Sequence, residues 1–349
     1  MLPRLACWTA RSLSHTLLFP RPSLRTRFSA KCLNKNMSAD NNLLAKPRRR
    51  ANFRLCNLAS YTSEILEIRA DAPTLHVLFV PGNPGVILFY KDFVEFLYEL
   101  LEGTASITAI GHVSHSRKNL ERGCLFSLQE QIDHKIDFIR EELQNIEIPI
   151  LLVGHSIGSY ISIEMFKKSP EKVKYCIGLY PFLTLNPHST AQLIIGKIAK
   201  SQVLAAALSY LIASLGLLPV QALRFIVRKS LGKSWSANAV EAACSHLSQY
   251  HTMRNVLYMA MTEFRKLAEA PDWTFIRERK AQLAFLFGVD DHWGPLHLLD
   301  EISNQVPGIV ISIERENHTH GFCCTEAGSL WVAQHVTNLI KNQTACTNQ

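Results

Sequence analysis

In the stretch Gly154-His155-Ser156-Ile157-Gly158 a serine stands between two glycines, where the apolar run 148–153 meets the helical pattern of 159–168. Glycines at that spacing permit a very tight turn and force the serine hydroxyl to its tip, at the carboxyl end of a strand. A serine hydroxyl is a poor nucleophile near neutral pH. It needs a base to take its proton, an acid to orient that base, and N–H donors for the oxyanion formed when it attacks a carbonyl. LAFLFGVDDHWGP offers two acids past an apolar run, Asp290 and Asp291. SIERENHTHGF offers two histidines past the next run, His318 and His320. His155, inside the turn, reads as a packing neighbour of the serine rather than as its base.

These residues need a frame that brings them together. Apolar runs at 74–80, 106–110, 148–153, 173–180, 281–288 and 308–314 read as strands, with two weaker ones at 53–58 and 64–68. Between them, 86–101, 128–143, 159–168, 295–303 and 329–342 carry helical spacing. Strands that are almost continuously apolar, alternating with helices, imply a largely parallel sheet buried on both faces. The alternation stops at about residue 182 and resumes after 273. This stretch shows no strand pattern and is in part very apolar, so it reads as a helical lid inserted between two strands of one domain spanning 52–342.

The turn around Ser156, the late Gly288-Val289-Asp290-Asp291 turn closed by Pro295, and His320 before Gly321-Phe322 resemble the α/β-hydrolase superfamily. That resemblance selects Asp291 over Asp290 as the acid, and His320 over His318 as the base. It also implies an oxyanion hole made by the N–H of Ile157 and one from the loop after the 74–80 strand. There the sequence is Pro81-Gly82-Asn83-Pro84-Gly85; Pro84 has no N–H, which leaves Asn83, with its side-chain amide as an additional donor. Pro-Gly-Asn-Pro-Gly before an aromatic-rich helix, combined with Gly-His-Ser-Ile-Gly-Ser-Tyr, is similar to the lipid droplet-associated serine hydrolases. The resemblance covers about 52–342. It implies a hydrolase of lipid esters, sterol esters or acylglycerols, through an acyl-enzyme, on the cytosolic face of lipid droplets or the endoplasmic reticulum.

Between Lys200 and Arg224 lie 23 residues without a charge. Their apolar centre, 203–218, is shorter than the roughly 20 residues that cross a bilayer as a helix. A helix or hairpin dipping into a lipid monolayer fits better, with Leu204, Leu208, Leu211 and Leu215 on lipid or substrate. Arg224, Arg228, Lys229 and Lys233 follow and are placed for anionic headgroups. The competing reading is a core helix of the lid, buried against the active site.

Charge is divided unevenly. Residues 1–50 carry eleven lysines and arginines against one acid, Asp40, a net of +10; the remaining 299 residues carry 26 basic and 28 acidic groups, a net of −2. The folded part is therefore not basic, which argues against a nucleic-acid partner. Residues 1–51 read as an extension, either an organelle transit peptide or sequence upstream of a start at Met37. Nine cysteines show no C-x-x-C and no zinc spacing, so neither a metal nor a cofactor is expected, and adjacent Cys323 and Cys324 read as packing residues. The rival to an enzyme is a droplet-surface protein that binds or organises lipid with little turnover.

Overall fold

A computed structural model describes residues 49–231 and 234–347. The expectations for the extension therefore lie almost wholly outside the described residues, as does Lys233. Arg49, Arg50 and Ala51, assigned from the sequence to the extension, bond to one face of the first long helix. The Ala51 N–H donates to Glu95 at 3.1 Å and the Arg49 N–H to Glu99 at 2.9 Å.

Eight strands make one sheet: β1 (Asn52–Leu58), β2 (Tyr61–Ile68), β3 (Leu75–Val80), β4 (Ala105–Ile110), β5 (Ile150–His155), β6 (Val173–Leu179), β7 (Leu283–Gly288) and β8 (Val310–Glu314). Their spatial order is β1-β2-β4-β3-β5-β6-β7-β8. The β1–β2 hairpin and the β2–β4 pair are antiparallel; every pair from β4 to β8 is parallel. Strands β3, β4, β5 and β7 are buried along their whole length. That is the burial their unbroken apolar runs imply, since helices cover both faces.

The crossover helices are α1 (Lys91–Leu100), α2 (Leu128–Glu141) and α3 (Ile157–Lys168), with two more late in the chain. The run 86–101 is not a single helix. A 3-10 turn, Ile87–Tyr90, precedes α1, a tightening common at helix starts. Helix α2 opens with a capping box, in which Ser127 and Glu130 satisfy each other's backbone N–H. The glycines flanking Ser156 have a packing reason. A Cβ on Gly158 would run into the carbonyls of Val80 and Pro81, and one on Gly154 into the Gly158 carbonyl. Only bare backbone lets α3 begin this close to β3.

Between β6 and β7 the described chain contains α4 (Thr190–Lys200), α5 (Gln202–Leu215), α6 (Val220–Ser230), α7 (Ala237–Ala242), α8 (Tyr250–Lys266) and α9 (Trp273–Glu278). After β7 come α10 (Leu296–Gln305) and α11 (Glu326–Thr347). Helices α4 and α5 meet at a bend of 101°, and among the described residues no single helix is long and apolar enough to cross a membrane. Helix α5 is not a buried core helix. Only Ala205 and Ser209 along it are buried, while Val203 is 77 %, Leu204 50 % and Leu211 48 % exposed. Leu193, Ile194, Leu217, Val220 and Phe225 extend this open apolar surface over α4 and α6.

Candidate active site

All the parallel strands point the same way, so the turns after β3, β5, β7 and β8 gather at one edge of the sheet. This is where residues far apart in sequence meet. Ser156 links β5 to α3 with φ +56° and ψ −124°, a conformation that costs a non-glycine residue free energy and persists only when its surroundings impose it. Here they do. The Ser156 N–H donates to the Leu179 carbonyl at 2.9 Å, and the Phe182 N–H donates to the Ser156 carbonyl at 3.2 Å.

Past β7, Asp291 is buried and Asp290 is exposed. One Asp291 oxygen accepts the Trp293 N–H at 2.8 Å; the other lies 2.9 Å from His320 Nδ1. A carboxylate at Nδ1 keeps the proton there and leaves Nε2 free to accept one. His318 instead packs on Trp331, ring centroids 5.8 Å apart. The geometry thus brings Asp291 and His320 together and leaves Asp290 and His318 apart. No hydrogen bond joins Ser156 Oγ to His320 among the described residues. Such contacts are often long without substrate and tighten in the complex.

A second row of buried groups lies behind this one, and sequence reasoning missed its chief member, Tyr90. The Gly82 N–H donates to the Tyr90 oxygen at 3.1 Å. Tyr90 lies 2.8 Å from His155 Nδ1, and His155 Nε2 lies 2.9 Å from the His320 carbonyl. A carbonyl only accepts, so Nε2 carries the ring proton and Nδ1 accepts from the tyrosine hydroxyl. Burial pushes the His155 imidazole well below its usual range, helped by the neighbouring His320. Burial also pushes the Tyr90 phenol well above its own. Both groups are therefore neutral. His155 is the packing neighbour of the serine that the sequence suggested, and it also grips the main chain of His320.

The loop after β3 passes close to the serine: a Cβ on Gly82 would lie 3.0 Å from that of Ser156. No acceptor among the described residues takes the main-chain N–H of Asn83 or Ile157. The Asn83 side chain corrects the expectation of an additional oxyanion donor. Its amide nitrogen donates to the Val256 carbonyl and to Glu263, both at 2.9 Å on α8. Its N–H groups are thus committed to the helical insert. Burial raises the Glu263 carboxyl to about 8, against the opposing pull of the Asn83 amide. Nothing in the sequence pattern marked Glu263.

Of the four leucines expected on lipid or substrate, Leu204 and Leu211 are exposed, and Leu208 and Leu215 are half-buried. Arg224 is taken by Glu241 at 2.7 Å, which leaves Arg228 and Lys229 as exposed basic groups on α6. Among the described residues no group of three or more His, Cys, Asp or Glu side chains is arranged to hold a metal ion.

Sheet order, crossover pattern and the position of the turns define an α/β-hydrolase fold. The haloalkane dehalogenase DbeA from Bradyrhizobium elkani superposes with a TM-score of 0.63 at 16 % identity, over 85 % of this chain and 99 % of its own. An epoxide hydrolase from Vigna radiata gives 0.60 at 14 %, over 84 % and 99 %. At such identities the likeness concerns the fold. The family follows from residues 73–323, which match the model of the lipid-droplet associated hydrolases. The chain belongs to that family. It is 29 % identical over 268 residues to the lipid droplet-associated hydrolase of Gallus gallus, covering 72 % of this chain and 81 % of that protein. The Dictyostelium discoideum protein of the same name is 27 % identical over 300 residues, 80 % of this chain and 94 % of its own.

Proposed function

We propose that the chain is a serine hydrolase that cleaves carboxylic esters of lipids, sterol esters or acylglycerols, through an acyl-enzyme. The observation that carries this reading is the 2.9 Å contact between His320 Nδ1 and a buried Asp291, at the same sheet edge as the strained turn bearing Ser156. Ser156 Oγ attacks the ester carbonyl carbon while its proton passes to His320 Nε2. Asp291 holds the imidazole in the right tautomer and stabilises the imidazolium. The N–H groups of Ile157 and Asn83 receive the oxyanion. His320 then protonates the departing alcohol, and water, deprotonated by the same imidazole, releases the acid and restores Ser156. No metal or cofactor enters these steps.

Residues 52–342 form the catalytic domain in this reading, and the insert at about 182–273 is its lid. The names of the curated relatives support action at lipid droplets, and the open apolar surface of α4, α5 and α6 supports docking on a monolayer, at a droplet or the endoplasmic reticulum. The cytosolic face is the side where droplets lie; organelle import through the extension is the lesser alternative. A second reading is a surface protein with little turnover, which would need only the open apolar surface of α4, α5 and α6. Labelling with a fluorophosphonate, with and without droplets, separates the two. Labelling of wild type that is lost in Ser156→Ala supports the hydrolase. Unlabelled wild type under both conditions leaves the surface protein.

A further inference from the structure

The orientation of the Asn83 carboxamide is set by Val256. A carbonyl facing it at 2.9 Å can only accept, so the amide nitrogen must lie on that side. Its second N–H then reaches Glu263 Oε1, also at 2.9 Å. This leaves Asn83 Oδ1 buried and, among the described residues, without a donor. A buried carbonyl oxygen without a partner is costly. Yet the group beside it is a carboxyl, which becomes a donor as soon as it holds a proton.

We propose that Glu263 is a positioning residue whose carboxyl pairs with the Asn83 carboxamide through two hydrogen bonds and so fixes the Asn83 N–H at the nucleophile. Asn83 Nδ2–H donates to Oε1, and Glu263 Oε2–H donates to Oδ1. The arrangement explains the orphaned oxygen and a buried carboxyl that, among the described residues, has no ion pair. Protonation suits the site: burial raises this carboxyl to about 8, and among the described residues the Asn83 amide is the group that pulls against it. Helix α8, which carries Glu263, packs against α4 and α5, the helices with the open apolar surface. The insert thereby reaches the oxyanion loop through the Asn83 side chain, held by Glu263 and by the Val256 carbonyl. The inference rests on the hydrolase reading, because it assigns Asn83 N–H to the oxyanion.

The test uses the full chain, p-nitrophenyl butyrate as a soluble ester, and fluorophosphonate labelling, from pH 6 to 10. In wild type, kcat falls as pH rises through about 8, where the pair loses its proton. Glu263→Gln supplies an N–H in place of the acid O–H; it keeps kcat within about threefold of wild type and loses that alkaline fall. Glu263→Ala lowers kcat by about tenfold or more with KM nearly unchanged, the mark of an interaction used in the transition state. Active wild type with Glu263→Gln as impaired as Glu263→Ala, or with the alkaline fall intact in Glu263→Gln, overturns this inference and leaves the hydrolase standing. Wild type without turnover or labelling overturns both.

Discussion

His155 hydrogen-bonds the main-chain carbonyl of His320 at 2.9 Å, so the residue before the nucleophile holds the residue proposed as its base. Tyr90 completes the arrangement from the other side, joining His155 Nδ1 to the Gly82 N–H. Three turns at the sheet edge are thus tied by three hydrogen bonds, two of them fully buried.

Removing the middle of that chain tests its value. Tyr90→Phe leaves the Gly82 N–H without an acceptor and His155 Nδ1 without a donor, both buried. The expected loss is about 1–3 kcal/mol of stability, read as a lower midpoint in urea. Turnover of a soluble ester falls with it, because the Gly82 loop is no longer linked through Tyr90 to the His155 that holds His320.

The proposed triad makes a sharper demand. Asp291→Asn keeps the shape but presents an N–H to His320 Nδ1 and favours the wrong tautomer. The expected fall in kcat is about 10⁴-fold, with stability little changed. Asp290→Asn, at an exposed position, leaves kcat within about twofold. Steady-state kinetics on the two variants decides between the neighbouring acids. Equal damage would undo the assignment of Asp291.

The open apolar surface predicts a variant that folds but does not dock. Leu204→Asp with Leu211→Asp replaces exposed side chains, so the change in stability stays within about 0.5 kcal/mol for each. Flotation with phospholipid-coated triacylglycerol droplets is expected to drop several-fold. Undiminished flotation would move the docking surface elsewhere.

Acid sensitivity follows from buried imidazoles. His134 has no partner for either ring nitrogen among the described residues, and His115 accepts the Gly85 N–H at 2.8 Å. Burial, and then the nearby Lys135, push each of them down to about 3. Between that value and the ordinary 6.5 the unfolded chain binds protons that the folded chain refuses. Their contribution is therefore fully present above about 6.5 and is lost as pH falls toward 3. Thermal unfolding at pH 7.5 and pH 5 reads the loss, and His134→Leu is expected to make it smaller. An unchanged loss in that variant would show that His134 does not carry it.

The order of strands and helices and the tight turn at Ser156 were legible in the sequence. They depend on periodicity and on glycine, and both act over a few residues. The choice of Asp291 and His320 over their neighbours came from resemblance, because two adjacent acids look alike until one of them is buried. The exposure of α5 was not legible either. An apolar run of 16 residues reads equally well as a core helix or a surface one, and only the sheet and helices around it determine what remains to cover it.

What the sequence by itself determined is therefore the alternating architecture and the residue types that meet at one edge of the sheet. What only the tertiary structure decided is which of them touch: Tyr90 with His155, 65 positions away, and Asn83 with Glu263, 180 positions away. Such contacts leave no local pattern, since each depends on two distant segments being packed together with water excluded. That exclusion is also what raises the carboxyl of Glu263 to about 8.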